Sequence, residues 1–277
     1  MSYKPDDFFV GVVDFFAVLL PGAVVVAVGR PFLPETLYGA AGVLRPVTGT
    51  TASWVLFLLA AYLAGHLLFL LGAFLDSTLY DPLRSVTVPP GKDRAYEAAR
   101  AAQNQALGGS SHVMNTFQWA RATLRLQAPP AMAEIERYEA DSKFFRSLTV
   151  ALYALVFLFL DRESRIIAAA LPAGLAAGHG MRVLLKRLHG ESGSVTKTWT
   201  PRLMKLAVGF AAATWVVLLA RAVSSGNTPA VPLIVLLALS IWRYAERRWK
   251  STRAAYYYVV VSRSLPRPAR KKTAQRA

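Results

Sequence analysis

The stretch Asp14-Phe15-Phe16-Ala17-Val18-Leu19-Leu20-Pro21-Gly22-Ala23 (DFFAVLLPGA, 14–23) lies inside an apolar run that extends over 8–28. About 20 apolar residues suffice to cross a bilayer core, so the run reads as a membrane helix holding a carboxylate and a proline. Carboxylates at membrane depth are costly, and they face a water-filled path or a partner.

Composition agrees with a membrane protein. The chain has 277 residues, is 54% hydrophobic and carries a formal net charge of +16. That charge cannot come from the apolar runs, so it is concentrated between them. No cysteine is present, which excludes disulfides, thiolate metal sites and thiol nucleophiles. Arg outnumbers Lys 23 to 9, a bias that fits a GC-rich bacterial genome. Ala27-Val28-Gly29 has the small-x-small pattern of a signal-peptidase site. However, the run before it is too long for a signal sequence, and Lys4 is offset by Asp6 and Asp7. The expectation is a retained first span.

Six apolar stretches stand out, at 8–28, 52–75, 147–160, 166–185, 204–223 and 229–242. The third and sixth are short for a crossing. Lys and Arg mark the cytoplasmic side of a membrane protein, and here they decide the count. With six crossings and the N-terminus inside, the inner segments 1–7, 76–146, 182–205 and 243–277 hold 27 of the 32 basic residues. The outer loops hold Arg30, Arg45, Arg162, Arg165 and Arg221. The sequence therefore predicts an all-α polytopic protein of the inner membrane with both termini cytoplasmic. A four-span core with an added hairpin over 161–228 is the other count the pattern allows. The short spans gain length from cytoplasmic helices that continue them, with Arg146 and Arg243 snorkelling to the interface.

The domains follow from this count. Spans one and two occupy 1–75, a cytoplasmic helical domain 76–146, spans three to six 147–242, and a basic cytoplasmic helix and tail 243–277. Within the helical domain, 92–107 is Ala-rich and ends at Gly108-Gly109. Ser110 and Ser111 are placed to cap a following helix with Val113, Phe117, Ala120 and Leu124 on one face. Pro129-Pro130 starts a helix expected to run into the third span, and the sixth span is expected to run out through 242–258. The run 256–261, YYYVVV, suits a short strand equally well. The tail, 266–277, is polar and basic and reads as disordered.

Asp14, His66 and His179 are the candidate pore or gate residues. At about 1.5 Å per residue they lie roughly 10, 15 and 9 Å from the inner ends of their spans. They either line a polar path or hydrogen-bond to neighbouring helices. Pro21 and Gly22 mark a hinge or a fixed kink in the first span. Ala170, Gly174 and Gly178 form a small-residue ridge for close helix packing, within one chain or between subunits. Trp242, Trp249 and Tyr256 recur every seven residues among Arg243, Arg247, Arg248, Lys250 and Arg253. Such a helix suits either an anionic ligand, nucleotide or nucleic acid, or the headgroups of the inner leaflet.

Catalytic patterns are weak. Arg182 and His189 match the Arg-x6-His spacing of HEPN ribonucleases, but the spacing is common. Ser111 and His112 in GGSSH are adjacent rather than convergent. Asp76 and Asp81 flank the second span without a phosphate loop or metal motif beside them. The expectation is no enzyme, no cofactor and no metal.

DFFAVLLPGA (14–23), EADSKFFRSL (139–148) and WRYAERRWKSTRAAYYY (242–258) resemble stretches of uncharacterised bacterial multi-pass membrane proteins. Those share a Pro-Gly first span, a cytoplasmic helical insert and a basic helix after the last span. In design the chain is also similar to the pore-forming membrane effectors of anti-phage defence systems. That similarity implies a homo-oligomeric ion channel gated by a cytoplasmic nucleotide, nucleic acid or partner protein. A transporter-like or anchoring protein without a pore is the alternative, with Pro21, Pro229 and Pro232 marking a midplane site between broken helices.

Overall fold

The computed structural model describes residues 5–29, 32, 51–81, 83–84, 93–108, 114–189 and 194–264. Within these helices, side chains at 5–14, 52, 171, 175, 176, 179, 182, 183, 185–189, 194–205, 207 and 208 are excepted. Among the described residues the protein is all helical, 94% helix with no strand. In chain order the helices are α1 (Pro5–Gly29), α2 (Thr51–Leu75), α3 (Arg94–Leu107), α4 (Thr116–Gln127), α5 (Pro129–Phe159), α6 (Arg162–His189), α7 (Ser194–Ser224) and α8 (Ala230–Ser264). A single π-helical turn, Asp76–Tyr80, continues α2.

Local chemistry sets the helix ends. Asp93 caps α3 by accepting from the Tyr96 amide at 3.2 Å, and Gly108 closes the helix in the left-handed region at φ 54°. A side chain there would be strained, which is why the helix ends at glycine. The expected caps of the next helix, Ser110 and Ser111, lie outside the described residues, as does Val113. The helix itself starts later, at Thr116. Asn115 caps it in a reciprocal box with Gln118, which has the acceptor and donor needed on both sides. Asp161 caps α6 by accepting from the Glu163 and Ser164 amides at 3.1 Å. Arg165 meanwhile donates to the Leu158 and Leu160 carbonyls at the end of α5.

Both long continuations are single helices. α5 runs 31 residues from its Pro-Pro start and α8 runs 35. The strand alternative for 256–261 does not form, because α8 passes through it. Helix α1 is likewise unbroken across Pro21. Of the six apolar stretches, two lie in helices long and apolar enough to cross a membrane by length and composition, Ser53–Tyr80 and Pro129–Phe159. Phe15–Gly29 and Gly209–Ser224 are shorter apolar helices, so among the described residues the expected six spans become two by this criterion.

The chain divides into two compact units, 1–90 with 137–249, and 91–136 with 250–277. In the larger unit, Leu152, Val156 and Leu160 meet Ala168 of α6, Leu218 and Ala222 of α7, and Ile234 and Leu237 of α8. The buried Thr149 and Ser240 hydroxyls bond across α5 and α8 at 3.0 Å, a polar tie between otherwise apolar helices. Gly22 on α1 lies against the Ala61 and Gly65 backbone of α2. In the smaller unit, Trp119 and Leu124 of α4 pack with Met132, Ile135, Tyr256 and Val259. Within that core, the Thr116 hydroxyl donates to the Gln103 side-chain oxygen and Gln103 Nε2 donates to the Met114 carbonyl, both at 2.9 Å, so the buried amide is satisfied.

Helix α2 is apolar on all sides, which in a globular protein implies full burial. Yet only 22% of its most apolar window is buried. Leu59, Leu63, Leu67, Leu70, Leu71 and Phe74 are all exposed on it.

Candidate functional site

Two groupings of polar side chains stand out in the larger unit. The first is centred on Asp76, the first residue of the π-helical turn. One carboxylate oxygen accepts from the Tyr244 hydroxyl at 2.5 Å and the other from Arg146 Nη1 at 2.7 Å. Arg248 Nε approaches the same carboxylate at 3.8 Å, and its Nη1 stands 4.0 Å from Glu139. Arg247 pairs with Asp141 at 3.4 Å. Tyr244 is fully buried, and the Arg146 side chain is 11% exposed and lies over the Phe69 ring. Burial, followed by the adjacent Asp76 charge and hydrogen bond, pushes the Tyr244 phenol far above its ordinary pKa. The π turn brings this about. Its extra residue per turn closes with the Asp81 amide on the Asp76 carbonyl, and such turns recur at functional positions.

The arrangement is an electrostatic hub that ties the end of α2 to α5 and α8. Arg146, expected to snorkel to the interface, pairs with Asp76 at 2.7 Å. Arg243 is likewise engaged, with Glu246 at 2.6 Å.

The second grouping is an open-sided recess of about 350 Å³ lined by Phe15, Ala17, Val18, Tyr62, His66, Phe69 and Lys143. His66 is exposed and stands edge-on to Tyr62 at 4.5 Å. Among the described lining residues Lys143 is the one with a full positive charge. Lys143 comes from α5, while the aromatic walls come from α1 and α2.

The other predicted residues fall as follows. Asp14 and His179 lie in α1 and α6, but their side chains are outside the described set. Pro21 is fully buried, and Gly22 sits at the crossing of α1 with α2. Gly174 faces the Phe210 ring of α7, whose nearest atom a Cβ would meet at 3.3 Å. Ala170 and Gly178 are half-buried on the same helix. On α8, Trp242 is exposed, Trp249 half-buried and Tyr256 in the core of the smaller unit, so the three do not form one stacking face. Arg253 donates to the Tyr257 hydroxyl and lies over its ring, and Lys250 is exposed.

Sequence reasoning missed the hub. Asp76 directly follows the longest apolar run, a detectable signal, but its partners stand 70 and 168 residues away. Among the described residues no group of three or more His, Asp or Glu is placed to hold a metal ion. The fold and its two polar groupings thus define an all-helical protein with a charge hub and an ionisable recess. Comparison with protein-family models, curated proteins and solved structures finds no match to this chain.

Proposed function

We propose that the protein is an oligomeric membrane channel of six crossings, with both termini cytoplasmic and the helical unit of 91–136 and 250–277 on that side. In this reading it belongs with the pore-type effectors of anti-phage defence, opened by an anionic ligand. The observation that carries the membrane placement is α2, apolar all round and largely unburied, since such a surface is stable only against lipid or a second apolar surface. The recess supports the channel, because an ionisable group such as His66 opening from apolar helices is costly at membrane depth and is suited to a polar path.

The test is ion flux from dye-loaded proteoliposomes containing the purified chain. With an anionic ligand such as ATP added, wild type conducts the ion that the enclosed dye reports, and both His66→Ala and Asp14→Asn alter the rate without loss of assembly. A protein that inserts but never conducts would overturn the channel. It would then favour the anchoring reading, in which Arg243, Arg247 and Arg248 serve the internal pairs described above.

A further inference from the structure

We infer that the π turn at 76–80 is a register latch. Tyr244 keeps one extra residue stored in the turn, and withdrawal of Tyr244 lets the end of α2 slip into an ordinary α-helix. This goes beyond the channel reading and stands whether or not the chain conducts.

The turn is embedded in a helix. Leu75 and Asp81 flank it with right-handed helical dihedrals, and 81, 83 and 84 are helical again. A π turn carries one residue more than the α-helix around it, so releasing that residue requires one side to rotate against the other. The side before the turn is pinned. Gly65 lies against the Val18 carbonyl of α1, and Gly72 lies under the Arg146 stem, whose Cγ a Cβ there would meet at 3.2 Å. Release therefore rotates the residues from Tyr80 onward by about 100° and moves them about 1.5 Å along the axis.

One side chain spans the turn. Tyr244 donates to Asp76, the first residue, at 2.5 Å, and its ring stands 6.1 Å from that of Tyr80, the last. Both tyrosines are buried. While Tyr244 is seated, the two ends of the turn are held in one register. Tyr244 belongs to α8, so a movement of α8 withdraws both contacts together and is passed to the end of α2 as a rotation.

The sequence of the turn suits two registers. In the α register Leu79 takes the angular position that Tyr80 holds in the π register, so each register buries a large apolar side chain. Ser77 and Thr78 both donate their hydroxyls to the Phe74 carbonyl, at 3.3 and 2.6 Å. Such back-bonding competes with the backbone ladder and eases its rearrangement.

The chain has no cysteine, so spin labels go only where cysteines are introduced. In the full-length protein Asp81→Cys is paired with Leu206→Cys or with Trp242→Cys, all exposed positions, and label distances are read by electron paramagnetic resonance. The otherwise unchanged protein is expected to give one distance per pair. Asp76→Asn, and Tyr244→Phe, which keeps the ring, are each expected to add a second distance in at least one pair. It is displaced by up to about 7 Å and at least about tenfold more populated than in the parent. Deletion of Thr78 removes the stored residue, so in either background the second distance should vanish while the first remains. One unchanged distance in both pairs of Tyr244→Phe overturns the latch. A second distance that survives the deletion also overturns it, because its source is then fraying of the helix end rather than a change of register.

Discussion

A Cβ added at Gly22 would stand 1.8 Å from the Ala61 carbonyl oxygen and 2.6 Å from the Gly65 nitrogen, while one at Gly65 would stand 2.0 Å from the Val18 carbonyl oxygen. These obstacles are backbone atoms, so no rotamer change relieves them and the two helices must separate. Gly22→Ala is expected to cost about 3 kcal/mol, the upper end of overpacking, read as unfolding followed by circular dichroism in mixed micelles. Gly180→Ala and Gly209→Ala, where nothing lies within 4 Å, should be neutral or should stabilise by up to about 1 kcal/mol. Equal losses at all three would refute the crossing. Pro21-Gly22 was legible in the sequence as a special pair, and its local chemistry suggested a hinge. The reason for the glycine lies on α2, some forty residues on, where no local pattern points. The interior proline is tolerated within a continuous helix, so its presence did not by itself specify a break.

Helices α5 and α8 were the most legible elements, because apolar and amphipathic patterning joins without a breaker at 146 or 243. What the pattern left hidden was the end of α2, where the π turn aims Asp76 at side chains from two later helices. Tyr244→Phe keeps the ring and removes the donor, so it should cost about 2 kcal/mol, the usual worth of a hydrogen bond to a charged group. The pH dependence has a defined sign. The folded protein holds the phenol protonated above its ordinary value of about 10, while the unfolded chain releases the proton. This contribution to stability is complete below pH about 10 and is lost progressively above it, towards the raised folded-state value. Wild type should therefore lose stability more steeply than Tyr244→Phe between pH 10 and 11.5 (roughly, the range set by the ordinary phenol value). Parallel curves would show that Tyr244 is not held protonated by this hub.

For the chain as a whole, the helical class was legible from the apolar runs and the helix-forming segments between them, and among the described residues the protein is all helical. Helix length was less legible, since it depends on where a helix begins, and 147–160 gains its length only by continuing from 129. The absence of cysteine permits a direct test of orientation. A membrane-impermeant maleimide should label Thr228→Cys in intact spheroplasts, and Ser264→Cys only after permeabilisation. The reverse result would invert the topology. One more consequence follows from the end of α8. Arg263 donates to the Ala102 carbonyl and places its guanidinium 4.9 Å above the ring of Trp119, which is the sole indole in 91–136 and 250–277. Undocking of that last turn would move a cation away from a chromophore and let water reach it. The smaller unit thus carries its own optical gauge, whose emission colour tells whether the terminal turn is seated.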